Sequence, residues 1–243
     1  MTLLTAHGLT RRFGGIHAVE NVDFALGEGE IRAIIGPNGA GKTTFVGMIC
    51  GRIEPSEGRI EFAGADITGL GPWDRVAAGI AYTFQITSIF RNLSCFENVA
   101  LGVQRSRSHR GGRWWPKRAE IADGVAASLA TVGLAERAEQ TAGSLAYGHQ
   151  RLLEIAIGLA LAPRLLILDE PTQGLSDREI ESFCALMKRL SAETTILLIE
   201  HNMPVVMALA DRITVMDNGR ILAEGTADAV RNNPRVREAY LGT

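Results

Sequence analysis

Three cysteines in 243 residues, Cys50, Cys95 and Cys184, are too few, too far apart and odd in number for a disulfide framework, and none stands at a CxxC or Cys/His spacing that would hold zinc. A reducing cytosol is therefore the expected setting. An excess of charge of one sign is missing as well. The formal net charge of −2 gives no overall electrostatic drive toward nucleic acid or an anionic membrane, so any basic partner surface must be local. Long apolar runs are absent: the longest, residues 155–162, is too short to span a bilayer. Residues 1–7 lack a charged stretch followed by an apolar one, and no signal peptide is expected. If the protein works at a membrane, another chain is expected to supply the spanning part. There is no repeat of solenoid period and no low-complexity tract.

What is present, 46% hydrophobic and 21% charged residues, suits one globular domain of generous size or a core carrying an inserted subdomain. The most informative stretch is Gly36, Pro37, Asn38, Gly39, Ala40, Gly41, Lys42, Thr43, followed by Thr44. An apolar run at 31–35 predicts a buried strand before it, and residues 44–49 predict a helix after it, which is the context a phosphate-binding P-loop requires. The glycines permit backbone conformations closed to residues with a Cβ, so successive N–H groups converge on phosphate oxygens at a helix N-terminus. Lys42 is placed to reach the β- and γ-phosphates, and the Thr43 hydroxyl to ligate Mg²⁺, a hard cation that takes oxygen donors.

Residues 3–9 and 19–26 alternate around Gly14-Gly15 and predict a small antiparallel element. Strand signals return at 58–62 and 80–84. The solidly apolar runs 165–168 and 195–199 predict strands covered on both faces, the interior of a parallel sheet, with a helical crossover at 179–190 between them. Residues 96–160 read as mostly helical. Residues 213–216 and 219–225 predict a hairpin turning at Asp217-Asn218-Gly219, and a closing helix is expected near Ala227. The run 165–168 ends in Asp169 and Glu170, placing two carboxylates at the C-terminal sheet edge where α/β folds bind ligands. Asp169 suits Mg²⁺ through its water shell, and Glu170 suits orienting and polarising an attacking water.

Leu145, Ala146, Tyr147, Gly148, His149, Gln150 and Arg151 precede this acidic strand where ABC-type ATPases carry their signature motif, and the chain resembles that family over nearly its whole length. The resemblance matches Phe13 to the adenine-stacking aromatic, 36–43 to Walker A, Gln85 to the Q-loop glutamine, Asp169-Glu170 to Walker B with the catalytic base, 174–177 to the D-loop and His201 to the switch histidine. It implies a P-loop NTPase (RecA-like) α/β core at 1–87 and 160–243, a small antiparallel β subdomain, and an inserted α-helical subdomain at 88–159 within a single ABC ATPase domain of 1–243. It further implies ATP and Mg²⁺ as ligands, with Gln85 on the metal while sensing the helical insert, and His201 on the γ-phosphate. The signature departs from Leu-Ser-Gly-Gly-Gln at Ala146, Tyr147 and His149; Gly148 remains, opening an amphipathic helix. In the family this motif meets the γ-phosphate bound by the opposite subunit.

Leu-Ala-Tyr-Gly, together with Ile199-Glu200-His201-Asn202-Met203 and the ending Ala239-Tyr240-Leu241-Gly242, is similar to the ATP-binding subunits of branched-chain amino acid importers, the LivG-like group. Urea importer ATPases and lipopolysaccharide export ATPases stand as alternatives, and a soluble ABC ATPase acting on nucleic acid as a more distant one. The resemblance implies a peripheral protein on the cytoplasmic face of the inner membrane, pairing with itself or a sister ATPase, docking on two permeases and served indirectly by a solute-binding protein; no nucleic acid is expected. An acid-free basic stretch, Arg105, Arg107, His109, Arg110, Arg113, Lys117 and Arg118 with Trp114-Trp115, reads as a solvated loop, with lipid headgroups, a partner or nucleic acid as other possible contacts.

Overall fold

The computed structural model describes residues 1–83, 88–110 and 117–241. Strands β1 (Thr2–Phe13) and β2 (Ile16–Gly27) pair antiparallel across the Gly14-Gly15 turn. β3 (Ile31–Ile35) runs into the glycine loop and α1 (Lys42–Ile49). β4 (Glu57–Phe62) and the short β5 (Ala65–Asp66) complete a four-stranded sheet in the order β2-β1-β4-β5. After α2 (Pro72–Ala78) and β6 (Ile80–Thr83) come three helices, α3 (Cys95–Arg110), α4 (Arg118–Thr131) and α5 (Tyr147–Ala160). The chain then alternates β7 (Leu165–Asp169), α6 (Asp177–Leu190), β8 (Thr195–Ile199) and α7 (Met203–Leu209). It closes with the hairpin β9 (Arg212–Asp217) and β10 (Arg220–Gly225), then α8 (Ala227–Arg231) and α9 (Pro234–Leu241). Asn218 and Gly219, at φ 46° and 76°, supply the two left-handed residues of a tight hairpin turn.

The larger sheet has the order β10-β9-β3-β8-β7-β6, parallel except at the β10 edge. Every residue of β3, β7 and β8 is buried, because helices or the second sheet cover both faces. Alternate residues divide between two cores. Leu166, Leu168, Ile196 and Leu198 pack with Val99, Leu129, Leu153, Phe183 and Met187 of α3 to α6. Leu165, Ile167, Leu197 and Ile199 pack instead with Phe45, Val46, Met48 and Ile49 of α1 and with the antiparallel sheet. α1 thus lies between the two sheets, its Phe45 ring edge-on to Phe24 at 5.3 Å.

Two buried arginines fix this arrangement. Arg32 in β3 meets Glu30 at 2.6 Å and Glu224 of β10 at 2.9 Å, and donates to the Ala25 carbonyl of β2 at 3.0 Å. Arg75 of α2 donates to the Met48 and Ile49 carbonyls at 2.6 and 2.7 Å, satisfying the C-terminal end of α1, where a cation also suits the helix dipole. The P-loop helix is therefore held at its far end by a side chain and is open at its near end.

Candidate functional site

β3 delivers the chain to a loop that only glycine can build at two points. Gly36 (φ 154°) and Gly41 (φ 94°) have left-handed backbones; a Cβ on Gly36 would lie 2.2 Å from the Met216 carbonyl oxygen, and one on Gly41 2.3 Å from that of Ala18. The start of β2 and the β9–β10 hairpin thus clamp the loop. The Gly219 N–H donates to the Ala40 carbonyl at 3.1 Å, and the Glu20 N–H to the Gly219 carbonyl at 2.8 Å. Gly41 is also the N-cap of α1 and offers no side chain, which leaves the first-turn N–H groups for an outside acceptor. Lys42 Nζ donates to the Gly36 and Pro37 carbonyls at 2.7 and 2.9 Å. Burial lowers the proton affinity of Lys42, while the charges of Glu170 and Asp169 oppose that effect.

The loop opens on a cleft of about 570 Å³ walled by residues 38–44, with Ile16, His17 and Ala18 on one side and Glu170, Ile199 and Asn218 completing it. Asp169 ends β7 almost wholly buried and accepts a hydrogen bond from the Tyr82 hydroxyl at 2.7 Å. Burial, reinforced by the neighbouring Glu170 charge, holds the Asp169 carboxyl above the usual carboxylate range although the Tyr82 bond pulls it down. Burial and that same bond push the Tyr82 hydroxyl up. A buried carboxylate beside a second acid, with the Thr43 residue in the cleft wall, supplies oxygen donors of the kind that suit a hard divalent cation. Glu170 follows at φ 46°, a backbone state uncommon outside glycine, with its N–H donating to the Ile199 carbonyl at 2.8 Å. Nδ1 of the exposed His201 lies 3.7 Å from Glu170 Oε1.

The expected signature stands elsewhere. Ala146 is the N-cap of α5, with no side-chain cap, and Tyr147 to His149 form its first turn. The Tyr147 ring packs where a Cβ on Gly174 would lie, 3.0 Å from its Cε1. A Cβ on Gly148 would lie 2.1 Å from Glu179 Oε1, a carboxylate held by the Ser176 N–H at 2.9 Å and hydroxyl at 2.6 Å. Gly148 and His149 wall a separate cleft of about 190 Å³ against Leu175 and Phe183. Further along α5, the buried Arg151 pairs with Glu154 at 2.9 Å and donates to the Glu170 carbonyl at 3.1 Å.

Of the residues singled out from sequence, Asn38 to Thr44 and Glu170 share one cleft, with Asp169 beneath it and His201 beside it. Gly36 and Pro37 serve it by holding Lys42. Phe13 is half exposed at the end of β1, outside the cleft lining, with the Arg11 guanidinium 4.5 Å from its ring centre. Residues 146–149 do not reach this cleft. Gln85, Arg113, Trp114, Trp115 and Gly242 lie outside the described residues. Sequence reasoning missed Tyr82, Glu200, Arg151 and Glu154. For Glu200 a signal existed: an acid directly after a fully apolar strand must be paired. Tyr82 inside an apolar strand gave none.

Comparison with known proteins places the chain in a family and a fold. Residues 19–173 match the family described as ABC transporter, and residues 220–243 the family described as Branched-chain amino acid ATP-binding cassette transporter. The chain is 39% identical over 250 residues to the high-affinity branched-chain amino acid transport ATP-binding protein BraF of Pseudomonas aeruginosa, covering 99% of this chain and 98% of that protein. It is 40% identical over 254 residues to LivG of Escherichia coli K12, a protein of the same description, with the same coverage. Its fold superposes on the ADP conformation of MJ1267, an ATP-binding cassette of an ABC transporter, with a TM-score of 0.89, 30% identity and complete coverage of both chains.

Proposed function

The chain belongs to the ABC transporter family as an ATP-hydrolysing subunit, and on that premise we propose that it powers an importer for branched-chain amino acids. The observation that carries the hydrolytic part is Glu170 at the wall of the P-loop cleft with His201 Nδ1 3.7 Å from its carboxylate. The substrate class rests on the match of residues 220–243 and on full-length similarity to BraF and LivG.

In this reading the γ-phosphate draws Lys42 away from the Gly36 and Pro37 carbonyls, giving the partly buried ammonium a direct anionic partner. Thr43, Asp169 and Gln85 would hold Mg²⁺, which would supply positive charge to offset that of the phosphates. Glu170 orients and polarises the water that attacks the γ-phosphorus, and His201 holds that water and phosphate in line, giving ADP and inorganic phosphate. Phe13 and the wall at Ile16 take the adenine. Ala146, Tyr147, Gly148 and His149 meet the triphosphate held by a second ATPase subunit, of this or a sister chain, and residues 88–159 carry the resulting motion as an inserted subdomain. The docking face for two permeases lies along α3, where exposed Leu101 stands one turn from Arg105, which donates to the carbonyl of exposed Trp73, while Asn98 bonds exposed Phe90. Among the described residues no helix is long and apolar enough to cross a membrane, which fits a peripheral place on the cytoplasmic face, with a solute-binding protein acting through the permeases.

Glu170→Gln keeps the shape of the carboxylate and removes its basicity. Its turnover of ATP should fall by about 10²–10⁴-fold while ATP binding persists, and with Mg²⁺-ATP it should elute as a dimer on size exclusion. Full activity in this variant would sink the assignment.

A further inference from the structure

Glu200 is almost completely buried, yet it does not face the cleft. Its Oε1 accepts the Thr172 N–H at 3.1 Å and the Thr172 hydroxyl. Its Oε2 accepts the His201 N–H at 2.9 Å and the Asn202 N–H at 3.0 Å. A carboxylate has about four lone-pair positions, and here four donors fill them, so none is left for a metal or a phosphate. The Glu200 N–H itself points at the Ile34 carbonyl, 3.4 Å away in the strand that leads to the P-loop. One side chain therefore stands where the ends of three neighbouring strands, β3, β7 and β8, converge.

The division of donors between the two oxygens carries the argument. Oε1 serves only the loop after β7, two residues beyond Glu170; Oε2 serves only the loop after β8, including the backbone of His201 itself. The oxygens of a carboxylate are a rigid pair, so the two loops are held at one fixed offset. Glu170 belongs to the same junction: its backbone is in the left-handed region, its N–H donates to the Ile199 carbonyl at the end of β8, and its carbonyl accepts from Arg151 and the Gln173 N–H. We infer that Glu200 is a positioning residue for hydrolysis: it clamps the Thr172 and His201 loops together and so sets the spacing of the Glu170 carboxylate and the His201 ring. It makes no contact with nucleotide. This inference rests on the proposed roles of Glu170 and His201.

The isosteric Glu200→Gln tests it, because an amide has one acceptor oxygen and one donor nitrogen and cannot satisfy backbone N–H groups on both sides. In the full-length protein, kcat should fall by about tenfold or more while KM for ATP and the affinity for a fluorescent ATP analogue stay within about twofold. A residue that only supports the fold would not split the constants in this way. The decisive measurement is the double-mutant cycle with His201→Ala: if Glu200 acts through His201, adding Glu200→Gln to His201→Ala should lower kcat by less than about twofold further. Should Glu200→Gln not fold, Thr172→Val removes one donor, leaves the carboxylate buried, and enters the same cycle with an expected loss of a few-fold. Additive losses, or kcat within twofold of wild type, overturn the inference while leaving the hydrolytic reading intact. If His201→Ala alone retains wild-type turnover, the hydrolytic reading itself falls.

Discussion

The N-termini of α1 and α5 are built from the same shortage and finished in opposite ways. Neither helix begins with a side-chain cap: Gly41 stands at the N-cap of one and Ala146 at that of the other. By contrast α6 starts at Ser176 in a reciprocal capping box with Glu179, and α7 starts at Asn202, which accepts the Val205 N–H. An uncapped helix end is a vacancy for an anion. At α1 the chain surrounds that vacancy itself, with Ala18 and Met216 pressing on the loop, Lys42 folded over it and Glu170 in the opposite wall. At α5 only the back is supported, by Gly174 against the Tyr147 ring and by Glu179 behind Gly148, and Tyr147 remains partly exposed. One site is enclosed by its own chain, and the other is an open surface, in the proposed reading the one that meets a second chain's phosphate.

The largest expected effect breaks the enclosed site. Gly41→Ala places a methyl against the Ala18 carbonyl at a φ of 94°, so backbone strain and collision add. We expect a loss of roughly 3 kcal/mol, or about 6–12 °C in melting temperature for a chain of this size, together with loss of ATP binding. Gly39→Ala is the control: φ is 80° but nothing lies within 4 Å of the added carbon, so the cost should be about 1 kcal/mol. Equal melting points for the two variants would show that the clamp from β2 and the β9–β10 hairpin does not matter.

A smaller change sharpens the same point by removing charge from the enclosed site. The Asp169 carboxyl is held above its ordinary value of 3.8, chiefly by burial. A raised acid pKa means that the folded state keeps its proton longer than the unfolded one. Stability is therefore lost as pH rises from about 4 through the raised value, and at neutral pH the full penalty is present. Asp169→Asn, which can still accept from Tyr82, should melt higher than the parent at pH 7 without metal or nucleotide, by about 2–4 °C for each kcal/mol relieved. The difference should vanish near pH 4. With Mg²⁺-ATP the order should reverse, since the parent alone gains the cation. A variant that melts lower than the parent at pH 7 in the metal-free state would contradict this account.

How much of this was legible beforehand differs between the two helix ends. The glycine loop, Lys42, Asp169-Glu170 and the buried strands β3, β7 and β8 follow from short-range pattern, because spacing and hydrophobic runs are local properties. The β9–β10 turn was legible for the same reason, Asn218-Gly219 being residues that tolerate a left-handed backbone. The clamps on the loop were not, since Ala18 and Met216 act through backbone carbonyls and any residue type supplies one. Glu200 was readable as a buried acid but not as a bridge, because Thr172 lies 28 residues away in sequence. Phe13 was legible only as a motif position; the contact of its ring with the Arg11 guanidinium has no signal in the local pattern.

The smallest expected effect concerns the open end. Ala146 has φ −58° and ψ 151°, the extended geometry an N-cap serine adopts, so Ala146→Ser should fit without moving the backbone. As a cap it should add about 1 kcal/mol to the stability of the isolated subunit, seen as a rise of about 2–4 °C. If the α5 terminus is a phosphate surface, the hydroxyl can also donate to the partner's γ-phosphate while accepting from the helix. The ATP concentration that half-dimerises Glu170→Gln should then fall by up to about tenfold when Ala146→Ser is added, the worth of one neutral hydrogen bond. The two readouts separate the roles of the terminus. Higher melting with a raised ATP requirement would mean that the serine competes with phosphate for the same N–H groups; the absence of a cap at Ala146 would then be what keeps α5 available to the second subunit.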